Sequence, residues 1–228
     1  MHEIAGEQVG RRRHAKRNHE LLVEAAREVF AEQGVEASLE EIARRAGVGI
    51  GTLYRHFTTR EALVEAIVER RMAELVGVAE ASAREPDGWA ALVQLLERML
   101  ELQADDRLLK DVLMRYSHGA GRLTSARAEL RRLFEQVLER ARAQGTLRDD
   151  FTLSDLALLF WSFTPVLDAT ADVAPQAWRR HLHWLLDGLR PEAATAPSEP
   201  PLSDEQLGTA MEALREQRLR RRSGPARA

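Results

Sequence analysis

Apolar residues recur along this chain in stripes of helical spacing. Leu22, Ala25, Ala26, Val29 and Phe30 fall at i, i+3, i+4, i+7 and i+8, which predicts a helix from about Asn18 to Gln33 with Gly34 just past its end. Leu39, Ile42, Ala43 and Ala46 repeat the stripe in a shorter helix, started by Ser38 as N-cap with Glu41 completing a capping box. Gly47 stops that helix early, and another short one begins at Gly49 or Ile50. Thr58 and Glu61 make a second capping box, opening a long helix to about Ala83. Pro86 and Asp87 mark a break. Further helices are expected to about Ala104, from Asp106 to Tyr116, and from about Thr124 to Gln144. Thr152 and Asp155 cap the next, which Pro165 should kink or end. Pro175 sits in the first turn of one more, which ends near Leu189. "RPEAATAPSEPPL" reads as a linker. Beyond it, Ser203 and Gln206 cap an amphipathic helix carrying Leu207, Ala210, Met211 and Leu214. No strand pattern and no internal repeat emerges, so the fold class is all-α.

Composition narrows the function classes. At 228 residues the chain can bury a real core, and the 30% of charged residues suit helical surfaces. The net charge of −3 gives no global argument for nucleic acid, but "RRRHAKR" at 11–17 is locally basic, without an acid. There is no cysteine, which excludes disulfides, thiolate metal sites and a cysteine nucleophile. No apolar run is long enough for a membrane span, and Met1 opens no signal-like core. The expectation is a soluble cytoplasmic protein with no membrane partner.

The stretch "GVGIGTLYRHF", residues 47–57, carries the chemistry. Two short helices joined by a Gly-bearing turn are the signature of a helix-turn-helix. Gly47 supplies the positive φ at the end of the first helix, and Val48 can plug the angle between the two. On the second helix Leu53 and Phe57 face inward. Gly51 and Arg55 lie opposite, with Thr52 and Tyr54 on the flanks and His56 near the end. A small residue, a hydroxyl, a phenol and a guanidinium on one face suit phosphate oxygens and base edges in a major groove. The same pattern also fits a tight helical corner in a bundle. The polar outer face and the basic run upstream favour DNA.

The segment "SLEEIARRAGVGIGTLYRHFTTREAL", residues 38–63, strongly resembles the DNA-binding motif of TetR-type transcriptional repressors, and the likeness extends back through "FAEQG". It rests on Ser38, Ile42, Ala43, Ala46 to Val48, Gly51 to Tyr54, His56, Phe57, Arg60, Glu61 and Leu63. Position 49 is Gly where the family often has Ser, and position 60 is Arg where Lys is usual. The resemblance implies that Ser38, Ile50, Gly51, Thr52, Tyr54, Arg55, His56 and Arg60 line the DNA side. Thr52, Tyr54, His56 and Arg60 would serve phosphates; Ile50, Gly51 and Arg55 would lie nearest the bases. Arg11, Arg12, Arg13, Lys16 and Arg17 would form a mobile basic arm. Taken with the pattern of the chain, the expected organisation is an arm over 1–17, a helix-turn-helix domain over 18–64, a ligand-binding and dimerisation domain over 65–190, and a linker, helix and basic tail over 191–228.

Outside the motif, Leu156, Leu159, Phe160, Phe163 and Leu167 form one stripe while Leu158 and Trp161 form another. A helix apolar nearly all round is buried on two sides. That suits a central helix, and by the resemblance it suits a homodimer interface formed by Leu158, Trp161, Trp178, Leu182 and Leu185. By resemblance, too, a small apolar effector would sit among Trp89, Met99, Met114, Tyr116, His118, Phe134 and Phe160. No cofactor or metal is expected: His181 and His183 point to different faces of a helix, and no Ser-His-acid set is recognisable. An enzyme is therefore disfavoured. The expectation is a sequence-specific DNA-binding regulator, a repressor released from a palindromic double-stranded operator by its effector. The alternative is a helical interaction or scaffold module without ligand control.

Overall fold

The computed structural model describes residues 2–105 and 122–222, and every regular element among them is helical. In chain order these are α1 (His2–Gln33), α2 (Leu39–Arg45), α3 (Ile50–His56), α4 (Arg60–Ala83), α5 (Gly88–Asp105), α6 (Arg122–Ala143), α7 (Leu153–Thr170), α8 (Ala177–Gly188), a 3-10 turn (Pro191–Ala193) and α9 (Asp204–Arg222). The all-α expectation holds. The helix expected from Asp106 to Tyr116 lies outside the described residues.

Contacts divide the described chain into two compact units, residues 2–71 and residues 72–105 with 122–222. In the first unit α1 packs on α2 and α2 on α3. The predicted stripes meet there: Leu22, Ala26, Val29 and Phe30 from α1, Ile42 and Ala43 from α2, and Leu53 with Phe57 from α3 are all buried, joined by Leu63, Val64 and Ile67 of α4. In the second unit α5 packs against α6 and α7, and α7 against α8. Its core holds Leu92, Leu95, Leu96 and Leu100, Val137 and Leu138, Leu156, Phe163 and Leu167, and Trp178 and Leu182. The boundary expected after residue 64 falls inside the continuous helix α4.

Several helix ends depart from the sequence reading, each for a local reason. α1 begins at His2 rather than near Asn18, so the backbone of the basic segment is helical and not a loose arm. Residues 2–17 contain no proline and are rich in Glu, Gln, Arg, Lys and Ala, all good helix formers. Ser38 does cap α2, accepting from the amide of Glu40, but its hydroxyl partner is Glu40 and not Glu41. Glu41 is drawn instead to Arg44, 2.7 Å away. At α4 the cap is Thr59, whose hydroxyl accepts from the Ala62 amide at 3.1 Å, one residue later than expected. Pro165 does not end α7, which runs on to Thr170. A proline there removes one ladder bond, but Phe163, Thr164 and Leu167 are buried around it and hold the helix. Pro175 precedes α8, whose N-cap is Gln176. The boxes at Thr152–Asp155 and Ser203–Gln206 form as expected.

Candidate nucleic-acid interface

The turn between α2 and α3 is closed by a full Schellman motif. Val48 N–H donates to the Ala43 carbonyl at 3.0 Å and Gly47 N–H to Arg44 at 3.2 Å. Gly47 has φ +69°, the left-handed region where a side chain would be strained. α3 then starts at Ile50 from the N-cap Gly49, which has no side chain to satisfy the free amides.

Leu53 and Phe57 anchor α3, at 1% and 4% exposure. The opposite face is open. Gly51 and Arg55 are exposed, Tyr54 is 49% exposed and Ile50 37%, and Thr52 is half-buried on the flank. Arg55 has no ion-pair partner among the described residues, which leaves its guanidinium available to an external anion or base edge. A β-carbon on Gly51 would meet nothing within 4 Å, so this face accepts close approach by another surface. Arg13, Lys16 and Arg17 are exposed on α1, with Lys16 only 3.9 Å from Glu20. The side chains of Arg11 and Arg12 lie outside the described residues.

Three of the expected DNA-facing residues are engaged within the protein. Arg60 turns inward: its NH1 donates to the carbonyls of Val35 and Ala37, the latter at 2.6 Å, and its guanidinium lies 5.9 Å from the Phe30 ring centroid. It clamps the α1–α2 loop rather than standing free for phosphate, because a guanidinium can serve two carbonyls at once. Ser38 is exposed, with its hydroxyl held by Glu40; that bond first, then a hydrogen bond from Glu40's own backbone amide, keeps the Glu40 carboxyl below the usual range. His56 is half-buried against Phe57 and His19, and its Nε2 has no hydrogen-bond partner among the described residues. His19 itself was not foreseeable as a neighbour, since nothing in the sequence sets it apart from the polar residues around it.

The second unit redistributes the remaining candidates. Trp89 is half-buried under the Arg190 guanidinium, 3.6 Å from its ring centroid. Met99 is core, at 5% exposure. Phe134 and Phe160 do meet, with centroids 6.3 Å apart between α6 and α7. Beside them Gln103, half-buried, donates to the hydroxyl of the buried Thr164 at 2.8 Å, a polar pair the sequence reading missed. An open hollow of about 490 Å³ is lined by Glu74, Gly77, Val78, Ala81, Gln94, Arg98 and Leu102, none of them an expected ligand residue. Met114, Tyr116 and His118 lie outside the described residues. Among the interface candidates, Trp178 and Leu182 are buried at 1% each within the chain's own core. Leu158 is exposed and Trp161 and Leu185 are half-buried; Trp184, overlooked in the sequence, is 58% exposed.

Comparison with known proteins fits this geometry. Residues 22–67 match the family model described as bacterial regulatory proteins of the tetR family, and residues 85–191 match the C-terminal domain described as transcriptional regulator SbtR-like. A TetR transcription regulatory protein from Mycobacterium vanbaalenii is 32% identical, with a TM-score of 0.59, over 78% of this chain and 98% of that one. The chain belongs to the TetR family. A second TetR-family structure, SCO0520 from Streptomyces coelicolor, is also 32% identical, with a TM-score of 0.57, over 76% of this chain and 98% of its own. A curated HTH-type transcriptional regulator from Staphylococcus aureus is 42% identical over 60 residues, a stretch covering 26% of this chain and 32% of that relative. This TetR-family protein is thus a DNA-binding transcriptional regulator and not an enzyme, with its helix-turn-helix in α2 and α3. Among the described residues no helix is long and apolar enough to cross a membrane, and no cluster of His, Asp and Glu could hold a metal ion.

Proposed function

We propose that this TetR-family protein is a cytoplasmic homodimeric repressor that binds a palindromic operator and leaves it when a small apolar effector binds the second unit. The observation that carries the reading is the two-sided character of α3. Leu53 and Phe57 fix it to the core while Ile50, Gly51, Tyr54 and Arg55 stand open on the far side. Arg55 and Gly51 are the residues assigned to base edges; Thr52, Tyr54 and the exposed cations of α1 are assigned to phosphates. Two copies of α3 related by a two-fold axis require a near-palindromic site.

Dimerisation is assigned to the outer face of α7 and α8, where Leu158, Trp161, Trp184 and Leu185 retain exposure that a core would not leave. The effector is assigned to the surroundings of Phe134 and Phe160, with Gln103 and Thr164 supplying the polar contacts that orient a mostly apolar ligand. α4 is the covalent route between the units: its 24 residues begin beside the DNA-binding helices and end in the second unit. An effector that prefers the DNA-incompetent arrangement shifts the population, and operator DNA must weaken effector binding by the same factor.

The test is a gel shift of the full chain with DNA from upstream of its own gene, competed by random DNA at physiological salt. Specific retention that a hit from a thermal-shift screen of apolar compounds abolishes is the expected result. Equal binding to random DNA would refute the operator, and operator binding insensitive to every thermal-shift hit would refute effector release.

A further inference from the structure

His19 on α1 and His56 at the end of α3 stand edge to ring, with centroids 6.1 Å apart, and His19 also lies 4.9 Å from the ring of the buried Phe57. The contact joins the helix that carries the basic segment to the last turn of the helix assigned to the major groove. His56 Nε2 is shielded from water and has no hydrogen-bond partner among the described residues. An imidazole so placed gains nothing from the protein when it takes a proton.

The charged groups around His56 come from each neighbouring element. α1 contributes His19, with Lys16 and Glu20 beside it and paired at 3.9 Å. α3 contributes Arg55. α4 begins with Arg60, whose guanidinium is turned to the Val35 and Ala37 carbonyls. Burial first, then the charges of His19 and Arg55, hold the His56 imidazole below the ordinary histidine range.

We propose that His19 is a positioning residue for His56 and that the pair couples operator affinity to pH. The proposal rests on the operator reading above. A DNA phosphate brought to this corner supplies the negative charge that the free protein lacks there, so the complex favours protonated imidazole. Operator binding then takes up protons. Histidine protonation raised in the complex strengthens binding at low pH, and the gain is lost as pH rises through the histidine range, by at most about tenfold in affinity per pH unit for each proton taken up. His19 sets the position of that window, because its charge opposes the protonation of His56.

The experiment uses the full-length protein and reads two quantities. The first is the midpoint of the His56 ring signal in an NMR titration without DNA, assigned by its loss in His56→Gln. The second is operator affinity from about pH 6 to pH 8 at fixed ionic strength. His19→Gln removes the neighbouring charge and should raise the His56 midpoint; His19→Lys, which keeps a permanent charge, should hold it at or below the wild-type value. The affinity window should move in the same directions, and His56→Gln should flatten it. Equal shifts in the Gln and Lys variants would mean that the ring of His19 merely fills space, and would overturn the proposal, as would a wild-type affinity independent of pH. If no operator binding is seen at any pH, the operator reading falls and the affinity coupling with it, while the ring titration still decides whether His19 acts on His56.

Discussion

A β-carbon on Gly88 would stand 2.6 Å from both the Cα and the backbone nitrogen of Ala141. The first turn of α5 therefore lies directly against the backbone of α6. Polar bonds hold the crossing: Gly88 N–H donates to the Gln144 side chain at 2.6 Å, Gln144 donates back to the Pro86 carbonyl at 2.9 Å, and Arg140 donates to the Ala83 carbonyl at 2.8 Å. A backbone cannot give way as a flexible side chain can. Gly88→Ala should destabilise the protein by about 1–3 kcal/mol or more, seen as a lower midpoint in chemical denaturation. An unchanged midpoint would mean that the two helices separate freely.

Arg60 separates a structural cation from DNA-facing ones. Its bonds to the Val35 and Ala37 carbonyls predict that Arg60→Ala loosens the α1–α2 loop and costs about 1–3 kcal/mol of stability. Arg17→Ala, on an exposed side chain, should leave the melting temperature alone. It should weaken all DNA sequences alike and reduce the slope of log affinity against log salt by about 1. The check is a paired measurement of melting temperature and salt-dependent DNA binding in both variants. A stable Arg60→Ala protein with a reduced salt slope would restore the phosphate role.

The contrast shows what the sequence made legible. Apolar stripes located α2 and the inward faces of Leu53 and Phe57, because burial of a stripe is what makes such a helix worth forming, while capping residues and breaks at Gly and Pro marked the other described α-helices after α1. Gly47 could be assigned because a Schellman ending needs a positive φ at one defined position. The start of α1 could not, since charged straight-chain residues suit helix and solvated coil alike. Pattern also fails to say what covers an apolar residue. Trp178 and Trp184 share one short helix, yet the first is buried and the second open. Likewise the spacing pointed to Glu41 as the partner of Ser38, but Arg44 one turn on holds Glu41 and leaves the Ser38 hydroxyl to Glu40.

Gly49 offers a gain of function in stability. It is the N-cap of α3, with φ −70° and ψ 148°, and no side-chain bond satisfies the first amides. A β-carbon there would meet nothing within 4 Å. Gly49→Ser should fit without strain and accept a hydrogen bond from an early amide of α3, adding a few tenths of a kcal/mol. Denaturation midpoints resolve such a change in a paired comparison. A loss of stability would show that the open space is needed by a neighbour in the native ensemble.

The two tryptophans of α8 test the assembly. Trp178 has 1% exposure and packs within its own protomer, so Trp178→Ala should cost about 3–5 kcal/mol and lower stability whatever the oligomeric state. Trp184 keeps 58% exposure, with the Arg180 guanidinium 4.9 Å from its ring centroid. Trp184→Glu removes no core contact, so the protomer should stay folded. If α7 and α8 form the dimer, a carboxylate facing the apolar surface of Leu158 and Trp161 must either be buried without a partner or drive the copies apart. Light scattering should then report a shift toward monomer with unchanged helical circular dichroism. Operator affinity should fall as well, since a monomer engages only half of a palindrome. A folded, fully dimeric Trp184→Glu protein with undiminished operator binding would place the interface on another face.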